Sequence, residues 1–334
     1  ARARRYAGWA GVAGVALFGA LWAERATVGA PPGEHTLVPR HIVGHESEYR
    51  VRCYREGPTA TTEVVEHLPT GRRDVMIDGF VAAGNASTAG YMDLMGRLPM
   101  ALHPDPQRAL VICFGTGATA RAVGSFAQSR VDIVDINPDV FACAGAFGPE
   151  NPRLLARAGV HVEDGRAFLR APSNVRYDVI TQEPMPPHFA GVSALYSVEY
   201  YRLARARLTD DGVLVQWLPM HITAPDDARQ IAAAALAVFP ETWLAVTAGD
   251  LTGLLVSSPR AIPEEARRRV GNELRIDFTL DPAGVARFVA GSGPVTDDRP
   301  ALEYNGIDRV YGQFGSSRSL LRYNLRRVGA ALRP

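Results

Sequence analysis

Five apolar runs constrain the fold more than anything else in the chain. They are RALVICFGTG from Arg108, VDIVDINPD from Val131, AGVHVEDGRAFL from Ala158, YDVITQEP from Tyr177 and GVLVQWLP from Gly212. Each is short and almost continuously apolar, as strands buried on both faces are. Between and after them lie stretches with helical spacing. SVEYYRLARARLTDDG (Ser197–Gly212) is read as one helix stopped by its glycine. APDDARQIAAAALAVFP is another, with Asp226 and Asp227 in its first turn, where the helix dipole favours acids. Strands alternating with helices give an α/β fold, a doubly wound and mostly parallel sheet. TWLAVTA and LTGLLVSS are read as a final strand pair closing it.

The region before Arg108 has a different rhythm. YRVRCYREGP, TATTEVVEHLP and RRDVMIDGF are short alternating runs ending in Gly- or Pro-bearing turns, which predicts a small antiparallel sheet. GYMDLMGRLPMALH then shows helical spacing. Five regions follow: 1–24 a transmembrane helix, 25–46 a linker, 47–90 the small β-domain, 91–310 the doubly wound domain, and 311–334 a basic amphipathic tail. The tail is read as a solvated helix, with a membrane-surface contact as the second reading. The first region rests on Tyr6–Ala23, an uncharged run with Trp9 and Trp22 near its ends, about long enough to cross a bilayer. A signal peptide and a soluble helix are the competing readings.

Composition removes several classes of function. Net charge is +1, so no global field draws the chain to nucleic acid. All 36 basic residues are arginine, so no lysine can form a Schiff base. Cys53, Cys113 and Cys143 are scattered and no CxxC occurs, so neither a disulfide framework nor a zinc site is expected, and all three are read as buried reduced thiols. No His spacing points to a metal, although His188 and His221 follow two of the strands and either can face a pocket.

Ligands of a doubly wound sheet bind beyond the carboxyl ends of its strands. Gly115, Thr116 and Gly117 follow the first run, where glycines let backbone approach a ligand; a tight turn is the plainer reading. Asp135 follows the second and can hold both hydroxyls of a ribose, or cap a helix. Asp164 and Gly165 follow the third and can meet an adenine amino group, or begin the next helix. Glu183 follows the fourth, ahead of a loop holding Pro184, Pro186 and Pro187. As a set these ends suit an adenosine ligand without phosphates.

Residues from about Tyr49 to Tyr304 resemble spermidine synthase, the polyamine aminopropyltransferases. They are closer still to bacterial membrane proteins that carry such a domain after transmembrane helices. The resemblance is carried by REGPTATTEVVE, MIDGF, GYMDLMGRLPMALHPDPQRALVICFGTG, DIVDINPDV, VEDGRAFL, YDVITQEP, GVSALYSVEYYRLARARLTDDGVLVQWLP and TDDRPALEY, in order. It implies a Rossmann-like, methyltransferase-like domain behind a small N-terminal β-domain, acting on S-adenosylmethionine or its decarboxylated form as co-substrate, with no metal. It implies that Asp135 holds the ribose, that Asp164 and Gly165 meet the adenine, and that the turn at Gly115 and Gly117 passes the methionine-like arm. Glu183 becomes the base or positioning group for an amine such as putrescine, with Tyr91, Asp93 and Tyr196 shaping the amine site. It implies a possible homo-oligomer and a domain tethered to a bacterial inner membrane on the cytoplasmic side, although the Arg-rich N-terminus argues for the opposite side.

The departures fall where the family reads its substrates. Thr116 stands where the family's turn carries an acid, and Pro186 where its loop carries a second acid. Ala82 replaces a glutamine, and Met92 and Asp93 replace a His-Glu pair. Three outcomes stay open: aminopropyl transfer, another reaction on intact S-adenosylmethionine (methyl transfer, elimination or cyclisation), or non-catalytic adenosyl binding.

Overall fold

In the computed structural model the described residues are 27–30, 42–85, 90–126, 129–246, 252–305 and 316–332. The chain divides into two compact units, one of Ala1–Ala86 with Asn137–Pro149, the other of Ser87–Ile136 with Glu150–Pro334.

The small unit is an antiparallel meander of β1 (Tyr49–Glu56), β2 (Thr61–His67), β3 (Arg72–Ile77) and β4 (Phe80–Gly84), paired in that order. Val64 and Val75 point from neighbouring strands into one apolar cluster with Cys143, against which Ala146 and Phe147 pack. Those last residues belong to an excursion from the larger unit that the sequence reading did not anticipate. Asn137 caps its short helix by accepting from the Asp139 N–H at 3.0 Å, and its Nδ2 donates to Thr62 Oγ1 at 2.7 Å. A disulfide joins Cys53 on β1 to Cys143, with Cα atoms 5.6 Å apart. The expectation of three reduced thiols is therefore wrong for two of them. The pair is remote in sequence, and only the excursion brings it together. Cys113 alone stays free.

The larger unit holds an eight-stranded sheet. Its parallel part comprises β5 (Arg108–Ile112), β6 (Arg130–Asp135), β7 (Gly159–Val162), β8 (Tyr177–Gln182) and β9 (Leu208–Leu218). β10 (Glu241–Val246), β11 (Gly253–Ser258) and β12 (Asp277–Leu280) extend it antiparallel beyond β9. The order is β12-β10-β11-β9-β8-β5-β6-β7, so the chain moves outward from β5 through β6 and β7 and then crosses to β8 on the other side. β9 shows why both faces are covered: Leu214 and Leu218 enter one apolar core, and Val213, Val215 and Trp217 enter the other. The doubly wound sheet, the small antiparallel sheet and the final strand pair are as the sequence predicts.

Three expectations need correction. The helix read through Gly212 ends at Arg207, and Leu208 already starts β9. Arg207 fixes that end, because its buried guanidinium donates to the carbonyls of Val175, Phe168 and Leu169. The tail helix, Ser317–Ala331, is packed rather than merely solvated: Leu320, Leu321, Val328 and Ala331 are buried, and Asn324 donates to the carbonyls of Met220 and Thr223. The transmembrane helix over 1–24 and the membrane tethering drawn from it are not supported. No helix among the described residues is long and apolar enough to cross a membrane, and the 1–24 segment itself lies outside them.

Candidate active site

The switch point of the sheet lies between β5 and β8, the place where a doubly wound sheet opens a crevice. Beyond β5 the backbone turns sharply. Cys113 takes φ +72°, rare for a residue with a side chain, and Gly115 and Gly117 follow at +50° and +76°. A Cβ at Gly117 would come 2.6 Å from Asn151 Oδ1, so both the dihedral and the space demand glycine there. The Thr116 carbonyl accepts from Asn151 Nδ2 at 2.9 Å and from Arg121 Nη1 at 3.1 Å, which fixes the turn from behind.

Asp135 closes β6, and its Oδ2 accepts the Phe114 N–H at 2.7 Å. The carboxylate thus ties two strand ends together. Its alternative role as a helix cap is taken by Asn137. Asp164 does cap: its Oδ1 accepts the Ala167 N–H at 2.9 Å and starts the helix Gly165–Arg170. A Cβ at Gly165 would stand 2.7 Å from Ile112 Cγ2, so glycine lets this helix begin against β5.

Glu183 follows β8, and its N–H reaches the Ile112 carbonyl at 3.4 Å, prolonging the β5–β8 ladder by one residue. Its Oε1 accepts from Tyr91 Oη at 2.6 Å. Burial raises its carboxyl group to a pKa of about 7, with the Tyr91 bond opposing that rise. Some of its surface stays accessible, while its carboxyl lies deep in the unit. Tyr91 itself is held flat against Trp217, ring centroids 6.0 Å apart, and the Trp217 indole N–H donates to Thr252 Oγ1 at 3.0 Å. Tyr196 is fully buried, and its hydroxyl supports the loop by donating to the Met185 carbonyl at 3.3 Å. Further along, the Gly191 N–H and Ser193 Oγ both donate to Glu303 Oε1. The loop is therefore pinned at its middle and its end, with Pro184, Pro186 and Pro187 buried.

The structure brings Glu183, Tyr91 and Tyr196 into one region. Asp93 is turned aside: its Oδ2 pairs with Arg97 Nε at 2.6 Å, one helical turn on, and its side chain is half exposed. His221 lies with its ring 5.9 Å from that of Trp217, and burial lowers its pKa. His188 packs on Phe189 and is lowered for the same reason. Asp297 of the TDDRP segment forms a two-pronged ion pair with Arg166 and accepts from Ser197 Oγ.

Sequence reasoning missed a polar network under the loop. Gln182 and Gln216 both donate to the Leu195 carbonyl, at 3.1 and 3.2 Å, and Tyr201 donates to Gln216. The signal was available, since Gln216 is a lone amide in the otherwise apolar run GVLVQWLP. Ile136 was also missed. Directly after Asp135, it is 56% exposed, a bare apolar side chain beside the carboxylate.

The family model for the spermine/spermidine synthase domain matches residues 88–248. Over these residues, just under half of its length, the chain is similar to the spermidine synthase family. A polyamine aminopropyltransferase of Alkaliphilus metalliredigens is 29% identical over 53% of this chain and 59% of its own length. One of Nitrosomonas europaea is 31% identical over 51% of this chain and 52% of its own. The chain thus spans just over half the length of these curated relatives. A spermidine synthase crystallised with the transition-state analogue AdoDATO superposes with a TM-score of 0.56 over 80% of this chain and 88% of its own, at 19% identity. That of Thermotoga maritima gives 0.53 over the same shares, at 17% identity. Likeness at these identities establishes the shared fold.

Proposed function

We propose that the protein is a spermidine synthase-like transferase that binds S-adenosylmethionine or its decarboxylated form across the ends of β5, β6, β7 and β8, with Glu183 acting on the incoming amine. The observation that carries this reading is Glu183 itself. It is a deep carboxyl group at the switch point, poised near neutral pH and aimed by Tyr91. The strand ends fit the adenosyl portion: Asp135 for the ribose, Ile136 as an apolar wall for the base, Asp164 and Gly165 at the adenine edge, and the Gly115–Gly117 turn beside the arm. Asp164 can cap its helix and meet a ligand at once, because a carboxylate has several acceptor positions.

The chemistry asked of the protein is modest. A sulfonium is already an activated leaving group, so the chain has to orient a nucleophile, remove its proton and exclude water. The amine nitrogen bonds to the carbon beside sulfur, the C–S bond breaks with its electron pair going to sulfur, and methylthioadenosine leaves. Glu183 takes the amine proton. The buried prolines limit the freedom of the loop following that carboxylate. Tyr91 and Tyr196 hold Glu183 and its loop, and Asp93, tied to Arg97, is left at the rim.

Mass spectrometry of the products tests this directly. The protein is offered each donor separately, with and without putrescine. Methylthioadenosine formed only when amine is present supports transfer. Methylthioadenosine without amine marks elimination or cyclisation, and S-adenosylhomocysteine marks methyl transfer. Binding without turnover would reduce the protein to an adenosyl-binding domain.

A pH profile adds a separate check. With Glu183 as base, kcat/KM rises with pH through about 7 and then levels. Tyr91→Phe removes the bond that favours the ionised carboxylate, so the midpoint moves upward by roughly 0.5–1 pH unit. An unmoved midpoint would separate Tyr91 from the proton-transfer step.

A further inference from the structure

We propose that the donor site prefers S-adenosylmethionine with its carboxylate in place, and that Thr116, Met92 and Arg121 set this preference; the inference rests on the adenosyl-binding reading above. The two donors differ in charge. The decarboxylated form carries a sulfonium and an ammonium and no negative group. The intact form adds one carboxylate. A site that discriminates between them must either supply anionic partners for the bare ammonium or offer something to the carboxylate.

The arm-side residues supply little negative charge. Thr116, in the middle of the turn, is 2% exposed, and its hydroxyl faces Met92 Sδ at 3.7 Å. Met92 is 4% exposed and held in place by Thr119 Oγ1, which donates to its carbonyl at 3.0 Å. An uncharged, packed pair therefore occupies this wall. The nearest acid in sequence, Asp93, is paired with Arg97 at 2.6 Å, one helical turn on. Asp135 has one oxygen on the Phe114 N–H, and Asp164 has one on its helix cap. Glu183 is needed for the nucleophile, and its burial opposes ionisation.

Positive charge, in contrast, is close by. Arg121 Nη1 lies 3.1 Å from the Thr116 carbonyl and also donates to Asn151 Oδ1, both neutral acceptors. Burial is the largest influence on this guanidinium and lowers its pKa, with Glu150 and Asp93 opposing through their charge. A partly desolvated guanidinium that hydrogen-bonds neutral oxygens gains from an incoming carboxylate and repels an ammonium. A bare aminopropyl arm would thus meet an apolar wall backed by a cation. An arm that keeps its carboxylate brings its own counter-charge.

Isothermal titration of the full chain with three ligands tests the proposal: S-adenosylmethionine, decarboxylated S-adenosylmethionine and methylthioadenosine, which shares the adenosyl portion but has no charged arm. The intact donor is expected to bind at least tenfold tighter than the decarboxylated one. Because Arg121 also holds the turn, the readout is a ratio: Arg121→Gln should weaken the intact donor about tenfold more than it weakens methylthioadenosine. Thr116→Asp should narrow or invert the preference, with circular dichroism to verify its fold. The comparison in the unmodified protein needs no variant. Equal or tighter binding of the decarboxylated donor overturns the proposal and leaves the adenosyl reading intact if methylthioadenosine binds. Failure of all three ligands to bind overturns both.

Discussion

Glu183→Gln is expected to lower turnover by roughly 10²–10⁴-fold while leaving donor affinity within a few-fold, because a positioned proton acceptor is lost and the adenosyl contacts are not. The same substitution should make the protein more stable above about pH 4.5, with the gain growing until pH passes about 7. The folded pKa of Glu183 is about 7, above the ordinary 4.5, so the folded state holds this proton more tightly than the unfolded state. Stability therefore falls as pH rises from about 4.5 through 7, as the buried group is forced to ionise. Glutamine has no such step. At pH 8 the gain is on the order of 2 kcal/mol, after discounting 1.4 kcal/mol per pH unit for the water that reaches this partly accessible side chain. At pH 4 both proteins carry a neutral group, and the difference should vanish. Denaturant melts at the two pH values, beside the turnover assay, decide the matter. Unchanged activity would remove Glu183 from the chemistry, and equal stability at both pH values would show that its carboxyl is not held near neutrality.

The second large effect belongs to the disulfide. Cys53 and Cys143 are 90 residues apart, and chain entropy assigns a crosslink closing a loop of that length about 4–5 kcal/mol. Reduction, or Cys143→Ala, is expected to remove much of that from the small unit. Thiol titration gives an independent reading. Denatured without reductant, the protein should expose one reactive thiol, Cys113, and three after reduction. Three thiols before reduction, in protein prepared without reductant, would show that the bond does not form. Unchanged melting on reduction would show that it contributes little.

The parallel sheet was legible because its strands are apolar runs broken by glycine or acid, and a sheet covered on both faces leaves that pattern. That Gly115, Asp135, Asp164 and Glu183 lie at strand ends was legible for a related reason, since each stands where an apolar run breaks. The end of the helix at Arg207 was not, since it is decided by three carbonyls distant in sequence that capture one guanidinium. The tail helix looked solvated because its arginines dominate the composition, whereas Leu320, Leu321 and Val328 carry the packing. The ion pair of Asp93 with Arg97 was open to reading, since the i,i+4 spacing alone places the two side chains together on one helix face. The disulfide was invisible for a topological reason, because nothing in the spacing of three cysteines announces that residues 137–149 leave one unit to complete another.

That excursion imposes an order on synthesis. The four strands of the small sheet are made first, but the segment that covers Val64 and Val75 and carries the matching thiol comes only after β5 and β6. At about 5–20 residues per second, Cys53 waits roughly 5–18 s for a partner 90 residues away. During that interval Cys113 is made, and it precedes Cys143. The first thiol the nascent chain offers to Cys53 is therefore the wrong one. In the folded chain Cys113 stands just beyond β5, in a different unit from Cys53, and the bond is made to the later thiol, Cys143.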